Sequence, residues 1–258
     1  MDNKELKKLL GEAKQNREYG EFAKAIATLH QIKNEFPTNA TYCYLLAVTY
    51  FESWNTDAAL TYALETLVLD VNHKESYELI GDIYSKLNNT ELALENYLRA
   101  YKIDPKYTFV EEKLIELYLK ERDYEAVIKI CDNMMNHISI DISSVKARGL
   151  TMIYYGAIIK KRIALIYLKK YREAIGCLIY QINFEKDVKL PSSLETYSFL
   201  LKEKYIEIYK MYFNLNDKDN IKEYSTILLE KYKITNEALK EIETEAINDI
   251  ILRQQRSF

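Results

Sequence analysis

With 36 basic and 39 acidic side chains among 258 residues, the chain carries a net charge of −3, which argues against a general binder of nucleic acid or anionic membrane. Hydrophobic residues make up 48%, yet no stretch approaches a membrane span, and the most apolar region, around Leu150–Leu168, is broken by Lys160, Lys161 and Arg162. The 6 glycines and 3 prolines are too few for strands joined by tight turns, so an all-α chain is expected.

In chain order, helical periodicity alternates with the short turns Glu18-Tyr19-Gly20, Asn55-Thr56-Asp57, Asn88-Asn89-Thr90 and Asp123-Tyr124. After His137 the register changes. Ser143-Ser144 offers an N-cap for a long helix running to roughly Lys169, and Tyr171–Glu185 pairs with it. Asp187–Ser193, which contains Pro191, reads as a connector, with Ser192 and Glu195 as a capping box for the next helix. That helix covers 194–214 and its partner 218–232. A final helix starts at Thr235 or Asn236 and ends near Gln255, with Glu241, Glu243, Glu245 and Asp249 on a polar outer face and Arg253–Phe258 expected to fray.

Within this alternation a longer period is visible. Tyr77, Ile80, Gly81, Tyr84, Ala93, Tyr97, Ala100 and Pro105 place large apolar residues on one helical face, small residues where two helices must meet, and a proline at the end. One period of 34 residues earlier stand Cys43, Leu46, Ala47, Tyr50 and Ala59. A further period back stand Leu9, Ala13, Gly20, Ala25, Leu29, Ile32 and Pro37. Forward, Leu114, Ile115, Tyr118, Asp123, Tyr124 and Ala126 fit if the turn is one residue shorter. Ile163, Ala164, Tyr167, Tyr171 and Ala174 suggest a fifth unit, and Tyr205, Ile208, Tyr212 and Ile221 a degenerate sixth.

This pattern resembles the tetratricopeptide-repeat family, specifically over 6–107 and more loosely to about 183. The resemblance implies a right-handed superhelical α-solenoid of helix–turn–helix repeats at about 6–39, 40–73, 74–107, 108–140 and 145–183. A degenerate hairpin and C-terminal capping helix over 184–258 would complete it. A single hairpin cannot bury its apolar face alone, so stacked neighbours share one core, and most of the 23 tyrosines are expected to fill gaps between helices.

In this family the first helices of successive repeats line a groove that holds ligand peptides. Carried over position by position, that groove comprises Lys7, Leu10, Lys14 and Arg17 at a basic end, then Thr41, Tyr44, Val48 and Phe51 as an aromatic patch. Glu75, Glu78, Asp82, Glu112 and Glu116 form an acidic end. It would suit a segment with an apolar anchor and charges of opposite sense at its ends. The charges also read as a solvated face, and Tyr44 and Phe51 as packing against a neighbouring helix. Chaperone-binding members of the family grip a terminal carboxylate with polar residues. Leu10, Lys14, Leu45, Glu75 and Leu79 stand in those places here, so that clamp is absent. Trp54, the only tryptophan, occupies a turn position where glycine is usual. It reads either as an edge contact or as a cover for the adjacent repeat.

No catalytic constellation is visible. His30, His73 and His137 form no metal-binding or Cys–His spacing, Cys131 and His137 lie off a common helical face, and there is no phosphate-cradling glycine loop. Cys43 and Cys177 occupy apolar positions. The three cysteines match no metal motif, the first residues show no signal peptide, and a cytoplasmic protein without cofactors is expected. The leading expectation is a non-enzymatic adaptor or scaffold binding another protein or peptide segment, with no nucleic acid and no membrane insertion. The alternatives are self-assembly into dimers or filaments, and a peptide-sensing regulator. Regulators of that kind usually carry an N-terminal helix-turn-helix, whereas the first repeat here begins at about residue 6.

Overall fold

The computed structural model describes residues 2–138, 145–188 and 194–255. Among these, regular structure is entirely α-helical, and the chain divides into two compact units, Met1–Leu117 and Tyr118–Phe258.

In the first unit, α1 (Asn3–Glu18) pairs with α2 (Phe22–Glu35), α3 (Ala40–Glu52) with α4 (Thr56–Leu69), and α5 (Lys74–Lys86) with α6 (Thr90–Ile103). Each hairpin packs on the next through α2 against α3 and α4 against α5. The division between units falls within α7 (Thr108–Glu121).

Local chemistry explains the boundaries. Asn55, Asn89 and Asp123, one period apart, accept hydrogen bonds from the backbone of Ala58, Leu92 and Ala126, satisfying donors that each new helix leaves open. The preceding turns use one backbone device throughout: Gly20, Trp54, Asn88 and Arg122 all adopt left-handed φ values of 58–73°. The following N–H then reaches back to the helix, as from Asn55 to the Tyr50 carbonyl at 2.9 Å and from Asn89 to that of Tyr84 at 2.9 Å.

The repeat positions form buried columns. Ala13, Ala47, Gly81 and Ile115 are one such set, and Ala25, Ala59, Ala93 and Val127 another. Val127, not Ala126, therefore takes the fourth place, and the one-residue shortening expected at that turn does not occur. The close approach at Gly81 is real: a Cβ there would lie 2.5 Å from the Tyr97 ring.

The second unit contains α8 (Tyr124–His137), α9 (Val145–Tyr167), α10 (Tyr171–Val188), α11 (Leu194–Asn214), α12 (Lys218–Glu230) and α13 (Asn236–Gln255), each packed on its neighbours, with α13 returning to α11. After Arg122 the left-handed residues in its helix–helix turns include Lys169 and Asn216, spaced 47 rather than 34 apart, and Lys233 takes the same conformation ahead of α13. The longer α9, α10 and α11 account for the difference. Ile163 and Tyr167, expected in the fifth repeat's core, are 36% and 58% exposed, with Tyr167 stacked on Tyr124 at 4.6 Å. Ala164, Tyr171 and Ala174 are buried as expected.

Thr235 caps α13 through the Ala238 N–H at 3.1 Å. Glu243 was expected on the polar outer face of this helix. It instead faces α11, accepting a 2.7 Å hydrogen bond from the buried Tyr209 hydroxyl, while Lys210 pairs with Glu245 at 2.6 Å. The expected caps at Ser143-Ser144 and Ser192 lie outside the described residues, as do residues 256–258 and the side chain of Asp249.

Candidate functional site

All thirteen residues assigned to the groove lie in the first unit, on α1, α3, α5 and α7. Side-chain pairings show that these helices share one face. Arg17 of α1 pairs with Glu52 of α3 at 3.3 Å, the Tyr44 ring of α3 lies 4.7 Å from that of His73 at the start of α5, and Lys113 of α7 pairs with Asp82 of α5 at 3.2 Å.

At the α1 end, Lys7 and Lys14 are exposed, Leu10 and Arg17 half-buried. Lys14 pairs with Glu18 at 3.8 Å, so the end is basic but partly balanced by its own chain. Between α1 and α3 opens a cavity of about 240 Å³, lined by Leu10, Ala13, Lys14, Arg17, Leu29, Leu45 and Thr49. Its floor is aliphatic. The Thr49 hydroxyl donates to the Leu45 carbonyl at 2.7 Å and is thereby committed.

In the middle of the face the packing alternative for Tyr44 and Phe51 is the one observed. Tyr44, Val48 and Phe51 are half-buried and pack against Leu79, Ile80 and Ile83 of α5, and Lys86 lies over the Phe51 ring at 4.9 Å. The aromatic stripe of α3 thus serves the joint between second and third hairpins. The stripe beside it on α3, Leu45–Thr49–Glu52, looks toward α1. Thr41 is exposed at the start of α3.

At the α5 end, Glu75, Glu78 and Asp82 are brought together, half-buried. Tyr107 donates its hydroxyl proton to Glu78, and Tyr97 donates to Asp82 at 2.6 Å. Burial raises the Glu78 carboxyl above its ordinary value, with neighbouring Asp82 and Glu75 adding to the effect against the Tyr107 hydrogen bond. The Tyr44 hydroxyl is likewise pushed upward, first by burial and then by Glu78 and Glu75. Glu112 is half-buried and Glu116 exposed on α7. At Glu78 and Asp82 the acidic end is therefore hydrogen-bonded, while Glu116 faces solvent.

Sequence reasoning missed Ala13, Leu29 and Thr49 as cavity walls and Tyr97, Tyr107 and Lys113 as the acidic network's donors. The signal for Leu45 and Thr49 was their spacing of four on α3, which puts both on one side of the helix. Trp54 is 76% exposed, with Lys86 Nζ 3.4 Å from the ring centroid. It meets the third hairpin at Lys86, and most of the ring faces solvent.

A family model for the tetratricopeptide repeat matches residues 74–107, the third hairpin. The chain therefore contains a tetratricopeptide repeat. Among solved structures, the crystal structure of MamA protein superposes with a TM-score of 0.55 at 18% identity, covering 72% of this chain and 95% of that one. A second MamA structure gives 0.53 at 17% identity over 68% and 95%. The structure of Naa15/Naa10 bound to HypK-THB gives 0.64 at 18% identity, covering 95% of this chain and 34% of that one. At these identities the likeness shows the fold. A comparison with curated proteins returns no match. Among the described residues, no helix is long and apolar enough to cross a membrane.

Proposed function

We propose that the protein is a non-catalytic adaptor that captures a segment of another polypeptide on the face formed by α1, α3 and α5. The observation that carries this reading is the face's composition: an aliphatic-floored cavity with cations at its rim, followed one hairpin later by a half-buried acidic network. A stacked-hairpin fold gives such a face rigid spacing, so a partner meets its apolar and charged features in fixed order. The three free cysteines suit a reducing compartment, and we place the protein in the cytoplasm on that ground.

The test is quantitative affinity capture from native lysate with three baits: wild type, Lys14→Glu/Arg17→Glu on this face, and Lys102→Glu on the exposed side of α6. Partners lost with the double variant and retained with Lys102→Glu would support the face. Identical capture by all three baits would reject it.

A further inference from the structure

We propose that the cavity between α1 and α3 is the anchoring seat of the captured segment, and that it takes an aliphatic side chain with an acidic residue beside it. This deepens the adaptor reading and rests on it.

Size decides the first half. Sites for small molecules and cofactors run to about 300–1,000 Å³, whereas this cavity holds about 240 Å³. That is small for a cofactor and ample for an aliphatic side chain. Chemistry narrows it further: Leu10, Ala13, Leu29 and Leu45 supply apolar walls, and the Thr49 proton is already donated to the Leu45 carbonyl. An acceptor set against these aliphatic walls would lose water without finding a free donor there, the cations Lys14 and Arg17 standing at the rim.

Charge decides the second half. Lys14 and Arg17 stand at the rim; Lys14 is held by Glu18 at 3.8 Å in a solvent-exposed pair, and Arg17 by Glu52 at 3.3 Å in a partly buried one. Exposed pairs such as Lys14–Glu18 are weak and are exchanged readily for a competing carboxylate. On the far side of the Tyr44 stripe, Glu75, Glu78 and Asp82 repel an acidic residue and favour a basic one. The segment is thereby oriented, with its acidic part over α1, its aliphatic anchor in the cavity, and its basic part toward α5.

The test titrates the full-length protein, ¹³C-labelled at Leu, Ile and Val methyls, with capped synthetic hexapeptides followed by NMR. The first carries two glutamates, a leucine, an alanine and two lysines in that order. The second has the charges exchanged, and the third has aspartate for leucine. The expected result is shifts at the Leu10, Leu29 and Leu45 methyls with the first peptide, and none at those methyls with the third. In Lys14→Glu/Arg17→Glu, with an unchanged melting temperature, affinity for the first peptide should fall about tenfold and preference should pass to the second. Equal cavity shifts with the aspartate peptide would overturn the anchor. Shifts at Val48 and Ile80 alone would overturn the cavity while leaving the adaptor face standing. No shift with any peptide would sink both. Cavity shifts that grow with protein concentration without peptide would assign the seat to a second copy of the chain, and overturn the proposal.

Discussion

Gly81→Ala tests the packing on which the repeat depends. An alanine Cβ at this position would sit 2.5 Å and 2.6 Å from two carbons of the Tyr97 ring, where carbon atoms in contact settle at about 3.5–4.0 Å. The ring would have to retreat by about 1 Å. It is poorly placed to do so, being 1% exposed and tethered through its hydroxyl to Asp82, the residue next to the glycine. Overpacking of this kind costs about 1–3 kcal/mol, and part of a charged hydrogen bond worth about 1.5–3 kcal/mol would be lost with it. Against this stands a gain of about 1 kcal/mol from alanine's better helix propensity. The packing cost wins, and a net destabilisation of about 2 kcal/mol is expected. Equilibrium urea unfolding followed by circular dichroism reads it directly, with the slope checked for loss of two-state behaviour. Gly11→Ala supplies the contrast, because nothing lies within 4 Å of its Cβ position, and it should stabilise by up to about 1 kcal/mol. A Gly81→Ala protein as stable as wild type would refute the argument that this glycine exists to let α5 and α6 meet.

Three further outcomes are expected. Trp54→Gly should leave stability within about 0.5 kcal/mol of wild type by thermal melting, since relief of a left-handed conformation at φ 66° offsets the lost Lys86 contact; a large loss would mean the indole packs against something after all. Glu78 has a folded-state pKa raised above 4.5, so the stability it contributes is fully present below that pH and is lost as pH rises through the raised value. Glu78→Gln should flatten that decline in melting temperature against pH, and an unchanged profile would contradict the burial argument. Tyr209→Phe deletes the hydrogen bond to Glu243 that ties α13 to α11, and should cost about 1.5–3 kcal/mol. Faster hydrogen exchange confined to α13 would be the signature, and unaltered protection there would count against the tie.

Much of the fold was legible in the residues. Small side chains at Ala13, Ala47 and Gly81, and again at Ala25, Ala59 and Ala93, recur every 34 positions because each hairpin solves the same packing problem, and all of them are buried. The turns at Asn55, Asn89 and Asp123 were equally visible, since turn signals act within a few residues of chain, although the capping by these side chains was not read. The candidate face was legible only as a set of helices. Its basic and acidic ends were taken from the family resemblance, and of the two readings left open for the aromatic stripe of α3, packing on a neighbouring helix is the one seen, half-buried against α5.

Local sequence determined the helices, their ends, the 34-residue period through Arg122 and the identity of the small-residue columns. Tertiary structure alone decided which stripe of α3 looks toward α1 and which toward α5, turned Glu243 inward, and opened the cavity under Leu10 and Leu45. The reason is geometric. Adjacent residues on a helix point about 100° apart, so periodicity tells how wide an apolar face is, while only the stacking of the neighbouring hairpins says which partner meets each edge of it.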